Sequence, residues 1–298
     1  MSINKMTSEV FMDILLLAAA VLFSALGSTI LPGFYTRKNV GLRGQGDLYN
    51  LCRHLGILVF WGIYYAFNFS FEPAVLPYCL LIAIGYVSCF WILDAMACGP
   101  VSLTSLFVSL SLVVSSVYGF FFWNSPVTPL SVAGLCLVVL SLWLALHKGR
   151  GQAPVSRKWL LLVAVFFTGN SAYSIGQRAQ QAAWNGEHRG QLMFFGLLLT
   201  CVGALLRYLV RRRKGFDKIP VKTVAIPFAA SVINGFYNLF VMMLATRPLS
   251  PSIIYPSIAV GALALTSLFS LAVLKEKMKW WQWLGIAVGT VAVGLLSI

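Results

Sequence analysis

Ten continuous apolar runs, each about as long as a bilayer is thick, leave this chain few ways to fold. They cover residues 11–35, 48–67, 75–97, 101–123, 129–146, 159–178, 191–210, 224–245, 251–274 and 281–298. A membrane-crossing helix needs about 20 such residues. Lipid offers backbone amides no hydrogen-bond partner, so the runs must become helices or a closed barrel. They are continuous rather than alternating, which excludes the barrel. The rest of the composition agrees. Of 298 residues, 59% are hydrophobic and only 10% are charged, against about 25% charged in soluble domains. The connections are too short to hold an inserted soluble domain. That between runs 3 and 4 is little more than Cys98-Gly99-Pro100. The expected fold is therefore an all-α integral membrane protein of ten transmembrane helices.

The net charge of +14 is a topology signal rather than a nucleic-acid footprint, because no stretch is long enough to build a basic water-soluble module. Sixteen of the 22 basic residues follow runs 1, 5, 7 and 9: Arg37, Lys38 and Arg43; Lys148, Arg150, Arg157 and Lys158; Arg211, Arg212, Arg213, Lys214, Lys218 and Lys222; Lys275, Lys277 and Lys279. Those loops are expected in the cytoplasm, with both termini outside. The expected location is a cell membrane, multi-pass, such as a bacterial inner or plasma membrane. The six cysteines lie in or beside apolar runs, form no C-x-x-C pair, and read as small packing residues.

The chain also repeats itself. Ala97-Cys98-Gly99-Pro100-Val101-Ser102 matches Ala245-Thr246-Arg247-Pro248-Leu249-Ser250, and the same offset pairs Ser109 with Ser257 and Phe121 with Phe269. After a three-residue shift, Gly134 meets Gly285. Runs 3–5 thus resemble runs 8–10. A five-helix unit occurring twice is inverted in the membrane, because five is odd, and inverted repeats place a substrate site near the midplane. The expected division is a first repeat over 1–147, a cytoplasmic linker over 148–158 and a second repeat over 159–298, enclosing a central cavity.

The closing stretch, Leu274-Lys275-Glu276-Lys277 followed by Trp281-Gln282-Trp283-Leu284-Gly285, is similar to the "G-E-x … W-x-G-x-x-x-I-x-x-G" ending of the drug/metabolite transporter superfamily, EamA-type ten-helix branch. Ala97 leading into Pro100-Val101-Ser102-Leu103-Thr104-Ser105-Leu106 and Arg53 near the start of run 2 also resemble that branch. The chain departs from it in three places. Lys275 stands where the branch has glycine, Asn124 and Ser125 stand opposite the region of Glu276, and run 1 reads Ser24-Ala25-Leu26-Gly27 instead of Trp-Gly. The resemblance implies that helices 1–4 and 6–9 line the cavity, with 5 and 10 at the periphery. It also implies alternating access, driven by a gradient rather than by ATP.

Charge inside a bilayer costs at least about 2.5–3.5 kcal/mol at a helix centre, so interior polar groups are informative. Arg53 and His54 lie about one and a half turns into run 2, and Asp94 one turn before the end of run 3 on the same side. An Arg53–Asp94 pair can bridge helices 2 and 3 as a gate or coupling site, or can be static. His54 or Asp94 could carry a coupling proton. Asn234, Tyr237 and Asn238 share one helix face. With Asn170, Tyr173, Tyr255, Tyr86 and Trp91 they are expected either to line a pocket for a small, partly aromatic solute or to glue helices together. Arg53 and His54 in the interior favour neutral, zwitterionic or anionic solutes over strong cations.

No Walker-type G-x-x-x-x-G-K, H-E-x-x-H or G-x-S-x-G occurs, so no enzyme, cofactor or metal is expected. The leading expectation is a secondary transporter, an exporter of a small metabolite or drug-like solute, working as a monomer or weak homodimer. The expected partners are the lipid bilayer, the solute and a coupling ion such as the proton, with no nucleic acid. A lipid-linked carrier translocase is the alternative, to be favoured by a polar-lined lateral opening. A lipid-acting membrane enzyme is a third reading, to be favoured by paired acids.

Overall fold

A computed structural model describes residues 3–39, 41–122, 127–146, 156–213, 215–247, 249, 251–275 and 279–296. The expected linker therefore lies largely outside the described residues, as do Asn124, Ser125, Glu276 and Lys277. Among the described residues there is no strand, and the chain forms ten helical rods. We number them α1 (residues 3–38), α2 (Gln45–Phe67), α3 (residues 73–98), α4 (Val101–Phe122), α5 (Pro129–Leu146), α6 (Arg157–Ala183), α7 (Arg189–Arg212), α8 (Val221–Ala245), α9 (Pro251–Ala272) and α10 (Trp280–Leu296). Five stretches, 11–38, 73–98, 157–183, 189–212 and 224–245, are long and apolar enough to cross a membrane by length and composition.

Two rods change pitch, α1 for an identifiable reason. In α1 a π-helical turn, Leu26–Ile30, joins the α-helices Ile3–Ala25 and Leu31–Lys38. Pro32 lacks an N–H and crowds the carbonyl four residues back. The wider turn relieves that, with Leu31 N–H bonding Leu26 O. In α3 a 3-10 turn, Cys89–Trp91, separates Leu76–Ser88 from Ile92–Cys98. The rods begin and end on ordinary chemistry. Ser156 Oγ accepts from Trp159 N at 3.0 Å to cap α6. Gly44 precedes α2 at φ +78°, and any Cβ there would lie 2.4 Å from the Phe216 ring.

Packing is extensive between rods distant in sequence. α3 packs on α6 and α7; α8 packs on α1 and α2; α4 packs on α6, and α1 on α9. The remaining large contacts pair α2 with α7, α4 with α9 and α5 with α10. The α2–α7 pair is antiparallel: Asp47 meets Arg207 at one end, and Gly190 meets Tyr64 and Tyr65 at the other. Some crossings are very close. A Cβ on Gly85 would sit 2.2 Å from Tyr173 Cβ. The outward faces are apolar: Val59, Ile63, Leu161 and Leu268 are more than half exposed, while Ile57, Trp61, Ile82 and Leu197 are fully buried. A soluble protein does not cover itself this way, and the long apolar helices are those of a membrane-compatible protein.

Candidate functional site

The interior polar groups converge where α1, α2, α3, α6 and α8 meet. The centre is a hydrogen-bonded knot. Tyr86 Oη donates to Asn234 Oδ1 at 2.9 Å, and Asn238 Nδ2 lies 2.9 Å from Tyr86 Oη and 3.0 Å from Asn234 Oδ1. Tyr173 Oη donates to Asn238 Oδ1, and Gln177 Nε2 donates to Tyr173 Oη at 3.1 Å. Tyr86 and Tyr173 meet edge to face, with centroids 5.4 Å apart. Each of these side chains is buried, so each bond replaces one that water would otherwise supply.

This knot forms one wall of a cavity of about 50 Å³ of space open to water-molecule centres, enough for a few waters. Of the residues expected at a substrate site, Asn234, Tyr237, Asn238, Asn170, Tyr173 and Tyr86 line it. Arg53 lines it as well. Asn170 also reaches out of it, with Nδ2 2.7 Å from Ser111 Oγ.

Four expected residues stand elsewhere. Trp91 is not a lining residue. Its ring lies 5.6 Å from the Arg207 guanidinium, which is held equally close to Phe90. Tyr255 is buried in the apolar cluster that includes Tyr237 and Leu16, outside the cavity. His54 sits behind the wall, with Nδ1 2.6 Å from Asn50 O and its ring edge-on to Tyr86 and Phe90.

Asp94 corrects the expected Arg53–Asp94 pair. Asp94 Oδ2 accepts from an Arg207 terminal nitrogen at 3.0 Å, while Arg207 Nε donates to Asp47 Oδ1 at 2.6 Å. Arg211 adds a 3.5 Å contact to Asp47 Oδ2. Equal depth along neighbouring helices was a fair reason to pair Arg53 with Asp94. The fork of Arg207 can bridge two carboxylates at once, however, and α7 lies against both α2 and α3.

Sequence reasoning missed several participants. Ser24 and Ser28 line the cavity from α1, and Tyr49 and Asn50 line it from α2. The signal was present in part: Ser24 and Ser28 fall one turn apart in an otherwise apolar run, and Tyr49, Asn50 and Arg53 share a helix face. Arg207 and Asp47 gave none, because their partnership spans 160 residues.

Beyond the cavity, a groove runs between α3, α6 and α7 on the outside. Its walls are mostly apolar, with Leu80, Ile84, Val87, Val165 and Leu199. Ser88 and Thr168 are the hydroxyl-bearing residues that line it.

No family model matches the chain, and no curated protein does. A solved crystal structure is similar to it at a TM-score of 0.62, covering 95% of each chain at 13% identity. At that identity the likeness is one of fold.

Proposed function

We propose that this chain is a secondary transporter of a small organic solute, in which ten helices cross the bilayer as two inverted five-helix repeats. The resemblance to the EamA-type branch of the drug/metabolite transporters supports that reading, with export as the expected direction. The observation that carries it is the polar knot at the centre of the bundle. Tyr86 hydrogen-bonds Asn234, and the two are 148 residues apart, the offset that aligns residues 97–102 with 245–250. Corresponding positions of the two halves therefore meet at the cavity.

The packing supports the same reading. Exchanging each of α1–α5 with its counterpart in α6–α10 turns the α3–α6 contact into α8–α1, α3–α7 into α8–α2, and α4–α6 into α9–α1. The pairs α2–α7, α4–α9 and α5–α10 map onto themselves. Individual contacts follow. With α8 set on α3 at the offset of 148 and α6 on α1 at 146, Gly85 against Tyr173 corresponds to Ile233 against Gly27, and Ser88 against Gly169 to Phe236 against Phe23. An antiparallel α2–α7 pair is what counterpart helices give when one half is upside down. The α9–α10 contact has no comparable α4–α5 counterpart. Close crossings at small residues such as Gly85 and Gly169 fit helices packed in lipid, where van der Waals contact replaces the hydrophobic driving force.

Alternating access would have helices part around this small cavity to admit the solute from one side at a time. The test is counterflow in liposomes containing the purified full chain, over a panel of small amphipathic solutes. At least one is expected to exchange faster than in empty vesicles. Cysteines placed at Ser70 and at Asp217, in a background lacking the six native ones, are expected to react with an impermeant maleimide from opposite faces. Labelling of both from one face would remove the spanning arrangement, and no counterflow across the panel would remove the transporter.

A further inference from the structure

Resting on the transporter reading, we propose that the cavity takes a small organic monoanion whose charge sits at Arg53, with an aromatic or apolar body against Tyr86 and Tyr237. Arg53 is the sole charged residue among those lining the cavity, and its side chain is only 5% exposed. Its Nε has no hydrogen-bond partner, and no carboxylate pairs with it among the described residues. A buried cation without a counter-charge is costly, and an anion in the cavity would remove that cost.

The acids whose side chains the structure describes are committed elsewhere. Asp47 and Asp94 belong to Arg207. Asp13 pairs with Arg247 at 3.4 Å, Glu72 caps Ala74 N, Glu187 is exposed, and Asp217 accepts from Arg43 N. The acceptors in the knot are also used. Asn234 Oδ1 takes hydrogen bonds from Tyr86 and Asn238, and Asn238 Oδ1 takes one from Tyr173. Among the cavity-lining residues, the unpartnered polar atoms besides Arg53 Nε are Tyr49 Oη, a donor, and Asn50 Oδ1, an acceptor three residues from Arg53 on the same helix. An ammonium bound at Asn50 would meet the guanidinium's repulsion, whereas an anion accepts from both Arg53 and Tyr49. Cations and zwitterions are thus disfavoured relative to monoanions.

The probes are one skeleton in three charge states, phenylacetate, phenylacetamide and phenethylamine, with benzenesulfonate and acetate as further anions. Thermal unfolding of the purified full chain in detergent is followed at matched ionic strength. Phenylacetate or another of the anions is expected to raise Tm, and phenethylamine is not. The Arg53→Gln variant is expected to weaken anion binding by at least about tenfold, the loss of a charge-assisted contact. Arg53→Lys, which keeps the charge without the fork, is expected to weaken it only a few-fold. That variant decides the matter if Arg53→Gln does not fold, because binding unchanged in Arg53→Lys would speak against contact with the guanidinium. The proposal is overturned if no anion stabilises the wild type, if the anion shift survives Arg53→Gln, or if phenethylamine stabilises as much as phenylacetate. Anion binding lost with Arg53 but no counterflow would keep the site and remove the transporter. Counterflow of phenylacetamide in a wild type that no anion stabilises would keep the transporter and remove the anion site.

Discussion

The two ends of the α2–α7 pair are built from the same backbone packing and different chemistry. At the basic end, Arg207 bridges Asp47 and Asp94, joining α7 to α2 and α3 through buried or half-buried charge. At the other end no such bridge joins α7 to α2; the ion pair on that side, Asp13 with Arg247 at 3.4 Å, ties α1 to the end of α8. Gly190 lets α7 approach Tyr64 and Tyr65 closely, and the surrounding closure is made of amides and backbone. Gln191 exchanges two 2.8 Å bonds with the backbone of Glu72, Arg189 Nε donates to Gln181 Oε1 at 2.8 Å, and Arg178 donates to Ala245 O. An ion pair taken from water tolerates no loss of one partner, because the other charge is stranded. The Gln191 bonds are neutral, individually worth about 1 kcal/mol, and the two arginines donate to neutral oxygens, so losing one of those acceptors strands no second charge. One end is thus latched by charge, and the other by many small exchangeable bonds.

The largest test of that contrast is Arg207→Ala. Asp47 is 5% exposed, and losing Arg207 leaves this buried carboxylate with only the longer 3.5 Å contact to Arg211. The expected cost is about 3–5 kcal/mol of stability, read as a large fall in Tm of the purified protein. Wild-type stability in that variant would show that the charged end is not latched by this residue. Asp94→Asn should cost less, about 1–2 kcal/mol, because Asp94 is 30% exposed and its charge is partly screened. In that variant Arg207 still holds Asp47, so a loss as large as that of Arg207→Ala would mean that the two carboxylates act as one unit.

The rods were legible because long apolar runs bounded by Gly, Pro or charge have few other fates. The boundaries agree to within a few residues for α2, expected at 48–67 and found at Gln45–Phe67. α6 runs five residues beyond its expected end at 178, because Gln180 and Gln181 find partners inside the bundle and need not mark a loop. The pitch changes in α1 and α3 left no readable trace. Pro32 acts through a carbonyl in the preceding turn, and Cys89–Trp91 contains no breaker. In the site, polar residues recurring on one helix face were visible for Asn234, Tyr237 and Asn238. Which of the buried charges pair was not visible. Arg53 and Arg207 read alike as basic residues near the basic end, and only the packing of α7 against α2 and α3 decides which one receives the carboxylates.

The smallest expected effect belongs to the amide end. Gln181 is fully buried and bridges Gln180 and Arg189. Gln181→Ala removes neutral partners on a periphery that water can reach, since Arg189 also touches exposed Thr246 at 3.1 Å. The expected loss is about 1 kcal/mol. Arg189 can turn to water, so no charge is stranded as in Arg207→Ala. If opening this end limits exchange, the same substitution should leave counterflow intact or faster, because it weakens the closed form without touching the cavity wall. Gln181→Ala as damaging as Arg207→Ala would erase the difference between the two ends and make both of them rigid seals.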